Sequence, residues 1–359
     1  MRIPNTLQSS TILVVIVLHK YVDFMDERKL PGKIRVSLGS AIILGLTKGI
    51  LDAEPTTAYL LTYRMGKCRA CCAFCPQSRS SLGRADMLSR VIWPVFSLDE
   101  TIKRIIEAYE HKKIVRTCIQ ALNYSGVVQH ISAIAKMISR CSDIPISVSC
   151  QPLDRNGLEE LLDAGVQRVG IPLDAVTEEI FDRVKGAGVG GPYRWGRHFR
   201  ALKEATEIFG YGNVTTHLIA GLGETEEEFV RMIQTCIDMG VYPALFAFTP
   251  IPGTPLSDHP PPPIDYYRRM QVAHYLITRR IRRYDDMTFN DGRLVDFGVS
   301  DEQLRAIIRS GLPFLTSGCP GCNRPYYNER PGGPLYNFPR MPMRDEIIEI
   351  ERSLFGSLK

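Results

Sequence analysis

Eight short runs rich in β-branched and aromatic residues, at 58–63, 114–120, 146–149, 168–171, 214–220, 244–248, 286–289 and 312–315, alternate with stretches of helical periodicity. Such a chain buries both faces of a parallel sheet by wrapping it in helices, and eight units of this kind close naturally into an α/β barrel. The helical stretches carry start signals. Ser97-Leu98-Asp99-Glu100 opens one at Leu98, and Thr225 followed by Glu226, Glu227 and Glu228 opens another with an acidic first turn. The 359 residues suffice for one large barrel or two smaller domains. Residues 36–324 read as the barrel and 1–35 as an N-terminal extension. Residues 325–359 read as a C-terminal wrap, extended through Pro325, Pro331, Pro334, Pro339 and Pro342 and ending in a short helix from Arg344. The wrap covers an opening or serves a partner, with inert packing as the alternative.

Composition excludes several classes. The longest apolar run, residues 12–18, is too short to span a bilayer and has no small-residue cleavage site nearby, so it reads as a strand or an appended segment. Ten cysteines without a recognisable cleavable signal point to a reducing, cytoplasmic setting in which thiols serve metals. A formal net charge of +5 is mild, and the dense basic run Arg279-Arg280-Ile281-Arg282-Arg283 reads as a solvated helix end, so no nucleic-acid footprint is indicated. Pro260 to Pro263 reads as a rigid turn before a helix at Tyr266.

The cysteines are distributed unevenly. Cys68, Cys72 and Cys75 follow the first strand in the pattern Cys-x3-Cys-x2-Cys, with Phe74 before the last. Iron–sulfur clusters usually take four thiolates, so three in one loop suggest a cluster with one iron left open. The alternative divides the run into two zinc-knuckle pairs, Cys68/Cys71 and Cys72/Cys75, although adjacent Cys71 and Cys72 cannot easily face one ion. On the cluster reading Cys71 is spare. Cys118 and Cys150 end the second and third strands and are expected at the reactive face, with burial in the core as the alternative. Cys319-Pro-Gly-Cys322 follows the eighth strand, which neighbours the first in a closed barrel, so these four thiols are expected to converge on a second cluster at the same end; zinc is the minor alternative. Cys141 and Cys236 fall in helical segments and read as packing residues.

Other residues fit a ligand near the first loop. Gly221-Leu222-Gly223-Glu224 lets backbone amides approach a ligand after the fifth strand, or forms a plain turn. Asp174 can accept from ribose hydroxyls or cap a helix from Ala175. Arg194 and Arg197 can clamp a carboxylate or lie on the surface.

The three-cysteine loop resembles the signature of radical S-adenosylmethionine (SAM) enzymes. That resemblance implies a TIM-type (β/α)8 barrel, a four-iron four-sulfur cluster on Cys68, Cys72 and Cys75 that chelates SAM, and cleavage of SAM to a 5′-deoxyadenosyl radical. Phe74 matches the aromatic residue of that signature and Gly221 and Gly223 the glycine-rich segment near SAM, while Asp174, Arg194 and Arg197 become candidates for the ribose hydroxyls and the carboxylate of SAM. From about residue 33 to 328 the order of segments is similar to biotin synthase: Leu173-Asp174, Gly221-Leu-Gly-Glu-Thr225, Pro252-Gly-Thr-Pro255 and Asp291-Gly-Arg293 follow the cysteine loop. By that resemblance Cys118, Cys150 and Arg293 match ligands of a sacrificial second cluster, whereas Thr215 stands where a cysteine is expected. Cys319 and Cys322 are the natural replacements, and Arg293 then binds substrate or the cluster's surroundings. Cys75-Pro-Gln-Ser, Leu88-Ser-Arg-Val-Ile-Trp93-Pro and Cys319-Pro-Gly-Cys-Asn-Arg-Pro resemble the lipoyl synthases that work as a two-protein pair. The implied substrate is an octanoyl chain on a lipoyl carrier protein, the partner a second radical SAM synthase, and the electron donor a ferredoxin or flavodoxin. The rivals are a biotin synthase, a biotin synthase-like rearranging enzyme or lyase, and a zinc-knuckle binding module that is not an enzyme.

Overall fold

The computed structural model describes residues 31–329 and 332–357. The apolar run at 12–18 and the wrap residue Pro331 lie outside them. The core is an eight-stranded, mostly parallel sheet, which bears out the α/β, TIM-type class. Six of the expected strands form its parallel part: β2 (Thr57–Thr62), β6 (Arg116–Gln120), β7 (Ile146–Ser149), β8 (Val166–Gly170), β9 (Val214–Ala220) and β10 (Val241–Ala247). They stand in spatial order. All six residues of β2 are buried, as a strand covered on both faces requires.

The other two members of the sheet differ from the expectation. They are β1 (Lys33–Val36), antiparallel to β2, and β5 (Val95–Ser97), antiparallel to β1 at the sheet edge, so the sheet begins inside the expected N-terminal extension. A small hairpin of β3 (Met87–Leu88) and β4 (Val91–Ile92) precedes β5. The seventh expected strand pairs elsewhere: β11 (Thr288–Asn290) forms a hairpin with β12 (Arg293–Asp296). Asp291 and Gly292 between them both have positive φ, the conformation of a two-residue primed turn. The eighth is a single 3₁₀ turn, Leu312–Phe314, because Gly311 enters with φ +71° and Pro313 has no N–H for a ladder.

In place of two further strands, residues 316–329 run from the β10 edge to β2. Leu245 N–H of β10 donates to the Ser317 hydroxyl (2.7 Å), and Asn328 Nδ2 donates to the Thr249 hydroxyl (3.0 Å). On the β2 side, Thr56 N–H donates to Asn323 Oδ1 (3.0 Å) and Arg324 N–H to the Tyr59 hydroxyl (2.9 Å).

Helix starts follow the sequence signals. Leu98–Glu110 begins after Ser97, and Glu226–Asp238 begins under a capping box of Thr225 and Glu228. Ile264–Thr278 follows the proline run two residues earlier than expected. The basic run ends that helix: Arg283 pairs with Asp238 (2.9 Å), and Arg280 takes a positive φ. The wrap closes with helix Arg344–Ser357, held by Glu351 accepting from Arg305 (2.5 Å) and Arg309 (2.9 Å). Buried Arg268 donates to the carbonyls of Leu335 and Tyr336 and so fixes the extended part. Among the described residues no helix is long and apolar enough to cross a membrane.

Candidate active site

The loop after β2 is tied from within. Lys67 Nζ donates to the carbonyls of Pro76 (3.0 Å), Ser81 (2.6 Å) and Gly83 (2.7 Å), and buried Gln77 donates to those of Ala85 and Met87 (both 2.7 Å). Gly253 packs against the loop so closely that a Cβ there would lie 2.5 Å from the Gly83 nitrogen. The loop carries Cys68, Cys72 and Cys75 at the C-terminal ends of the parallel strands. Cys68 Sγ accepts from the Asn123 N–H (3.1 Å), just beyond β6. Burial pushes the Cys75 thiol up to about 12 and the Cys72 thiol well above the ordinary thiol range, and the neighbouring thiols add to both shifts. Cys71 lies aside, its sulfur accepting from Arg79 Nε (3.1 Å).

Opposite the loop, Asp174 follows β8 with φ +65°. It does not cap a helix; the next one, Glu178–Val184, is capped by Thr177. Its carboxylate accepts from Lys185 Nζ at 2.5 Å, both side chains nearly buried, and Lys185 also donates to the Pro172 carbonyl (2.6 Å). Lys185 stands over the Tyr193 ring, and its charge opposes the upward shift of the Cys72 thiol. A cavity of about 100 Å³ lies between Phe74, Cys75, Asp174, His217, Phe246 and Tyr327. Arg194 and Arg197 line a separate pocket of about 350 Å³ with Asn123, Gln151 and Tyr193, and Arg194 donates to the Gly191 and Tyr193 carbonyls. Gly221 and Gly223 have φ of +97° and +108°, which favours glycine. The amides expected to face a ligand are engaged locally: Gly221 and Leu222 N–H donate to the Glu224 carboxylate (2.6 and 2.9 Å). These glycines border an outer groove with Arg293, which is exposed on the β12 hairpin.

The second group of thiols is assembled differently from the expectation. Gly321 sits against Val115 and Thr56, the residues that precede β6 and β2, so the Cys319–Cys322 turn lies at the N-terminal ends of the strands, opposite the first loop. The sequence order suggested the same end, but with no eighth strand to carry it there, the turn enters from below. Tyr59, Cys118 and Ser147 are register partners across β2, β6 and β7. The Tyr59 hydroxyl is 3.2 Å from Cys322 Sγ, and the Ser147 hydroxyl donates to Cys319 Sγ (3.3 Å). Burial raises the Cys118 thiol, Cys319 and Cys322 raise it further, and Arg324 opposes them. Cys150 does not join this group. It stands three residues beyond Ser147, so strand alternation turns it outward into the core, and burial alone pushes its thiol up to about 12. Arg293 is likewise not brought to these thiols; Arg324 is the guanidinium beside them, with its Cζ 3.9 Å from the Phe246 ring centre.

Lys185, Tyr59 and Arg324 were not singled out from the sequence. Only the position of Arg324 two residues past Cys322 was a signal. The two donor sets suit iron–sulfur chemistry: three thiols each, with a backbone amide aimed at Cys68 and hydroxyls aimed at Cys319 and Cys322. Among the described residues no three His, Cys, Asp or Glu side chains close on a single ion. A cluster places its thiolates on different irons and needs no such cage.

Residues 62–236 match the sequence profile of the radical SAM superfamily. A biotin synthase of Chlamydia pneumoniae is 23% identical over 224 residues, which cover 60% of this chain and 63% of that protein. A biotin synthase of Aquifex aeolicus is 24% identical over 206 residues, covering 56% and 58%. The chain thus spans about three-fifths of the length of these curated relatives. Among solved structures, the FeFe-hydrogenase maturase of Carboxydothermus hydrogenoformans superposes with a TM-score of 0.48 at 16% identity, covering 67% of this chain and 56% of that one. Methylornithine synthase superposes with a TM-score of 0.46 at 14% identity, covering 66% and 67%.

Proposed function

We propose that this chain, with its radical SAM domain over residues 62–236, inserts sulfur into an unactivated acyl chain as one component of a lipoyl synthase. The radical SAM chemistry and the biotin synthase-like character are its premise; the substrate and the sulfur transfer are the proposal. One observation carries it: a second thiol group, Cys118 with Cys319 and Cys322, gathers inside the strand layer at the end opposite Cys68, Cys72 and Cys75. An enzyme that only generates a radical needs no second set. Held by Cys68, Cys72 and Cys75, a cluster would supply the electron that cleaves SAM to a hydrogen-abstracting radical, and one held by Cys118, Cys319 and Cys322 would supply sulfide. The protein's part is to hold these apart, keep water out and fix the chain between them. Asp174 and Lys185 would orient the cofactor side, and Tyr59, Ser147 and Arg324 the donor side. The partners of this reading are an octanoylated lipoyl carrier protein, a second radical SAM synthase and a ferredoxin or flavodoxin donor.

The test is an anaerobic assay with an octanoylated carrier peptide and SAM, read by mass for one added sulfur and paired with metal analysis. About eight irons per chain are expected, and about four would sink the sulfur-donor claim. A colourless, zinc-containing protein would instead favour a zinc-knuckle module. A biotin synthase-like reaction is the second reading, favoured by the place of Cys118 on its strand and by the two curated relatives. Running the assay in parallel with the biotin precursor separates the two.

A further inference from the structure

A pocket of about 390 Å³, within the range of about 300–1,000 Å³ usual for small-molecule sites, opens beside β1 and runs inward to Tyr59, the neighbour of Cys322. Its mouth is apolar, formed by Leu38, Ile42, Ile50 and Leu51; Ile50 is fully exposed and Leu38 is 40% exposed. Its walls are Pro55, Val91, Ile92 and Trp93, its inner end is Tyr59, Gln120, Arg324 and Tyr327, and Arg90 and the buried Glu329 add charged groups to the lining. That end is chemically distinctive. Tyr59 touches Cys322, while Tyr327 is shared with the cavity beside Phe74 and Cys75. A mostly apolar pocket whose inner end is one side chain away from each cysteine site, Tyr59 toward Cys322 and Tyr327 toward Cys75, suits a slender aliphatic chain.

We infer that this pocket binds a medium-length, unbranched acyl chain borne on a lysine, entering past Ile50 and Leu51 with its far carbons against Tyr59, Gln120 and Tyr327. The inference rests on the sulfur-insertion reading for its substrate class and adds the route, the walls and the end point. Gly39 offers a way to close the route. A Cβ there would meet Pro55 at 3.7 Å and Leu51 at 3.9 Å, ordinary contact, so a larger side chain would occupy the mouth without displacing backbone.

The experiment uses reconstituted full-length protein, held anaerobically, and an octanoyl-lysine peptide with a diazirine at the chain terminus. Photolysis followed by peptide mapping is expected to label Tyr59, Gln120 or Tyr327, with competition by unlabelled octanoyl peptide and not by acetyl peptide. Gly39→Leu is expected to weaken labelling about tenfold, equivalent to about 1.4 kcal/mol. Ile50→Glu, at a fully exposed position where folding is not at stake, is expected to weaken it in the same direction. Labelling confined to the pocket near Arg194 and Arg197, labelling insensitive to both substitutions, or no competable labelling would each overturn the inference. Sulfur added to the peptide with labelling elsewhere overturns the route alone. Competable labelling in this pocket with no sulfur added upholds the route and overturns the reaction.

Discussion

Replacing Lys185 by Met removes a cation from a nearly dry place. The Lys185 and Asp174 side chains are 5% and 10% exposed, and their charged atoms meet at 2.5 Å. Methionine keeps an apolar stem of similar length but removes the ammonium that stands over the Tyr193 and Phe181 rings, so the Asp174 carboxylate loses its counter-ion. Breaking a buried pair in this way costs about 3–5 kcal/mol, most of it from the stranded charge. In a domain of this size about 2 °C of melting temperature goes with each kcal/mol, so a fall of about 6–10 °C is expected. Adding Asp174→Asn removes the charge, and Asn tolerates the positive φ at this position. The double variant should therefore recover to within about 1–2 kcal/mol of the parent. Anaerobic thermal unfolding of the parent, both single variants and the double variant closes the cycle. A Lys185→Met protein melting with the parent, or a double variant as unstable as the sum of its parts, would refute the argument.

Three further outcomes follow from the geometry. Gly253→Ala drives a Cβ into the backbone of Gly83, so the cysteine loop should shift and iron bound by Cys68, Cys72 and Cys75 should fall, measured in a Cys319→Ala background. Cys319→Ala alone should leave SAM cleavage to 5′-deoxyadenosine largely intact while abolishing added sulfur, whereas Cys72→Ala should stop both; equal loss in the two would make the lower turn structural. Burial holds His274 down at about 4, below the ordinary imidazole value of about 6.5. The unfolded chain therefore binds more protons between these values, and the stabilisation is complete above about pH 6.5 and lost as pH falls towards 4, up to about 3 kcal/mol. His274→Gln should flatten the fall of the urea midpoint across that window.

The strands that could be read from the sequence are those buried on both faces, such as Thr57–Thr62 and Val214–Ala220, whose β-branched and apolar runs leave few other conformations. Lys33–Val36 and Val95–Ser97 are too short to carry a period, and their place in the sheet comes from pairing with each other and with β2. For 312–315, Gly311 and Pro313 outweigh the apolar pattern around them. The first cysteine loop is legible because its three cysteines stand within eight residues of one another, Cys68 to Cys75. The second group depends on register: Cys118 stands opposite Ser147, which turns Cys118 inward and Cys150 outward, and spacing along the chain does not encode that parity. Lys185 and Arg324 also act on Cys72 and Cys118, which are distant in sequence, and composition gives those couplings no mark.

The segment 316–329 also orders events in time. Its ties to β2 join residues 267 and 263 positions apart, through Asn323 with Thr56 and Cys322 with Tyr59. Contacts of such separation form late and cannot form on a nascent chain that has not left the ribosome. The loop of Cys68, Cys72 and Cys75 finds its first partners, Asn123 and Val184, within about a hundred residues of synthesis. On the proposed reading, maturation would run from one end of the strands to the other: the loop of Cys68, Cys72 and Cys75 would be able to take iron before the turn of Cys319 and Cys322 had been made. A protein shortened before residue 319 would still be brown.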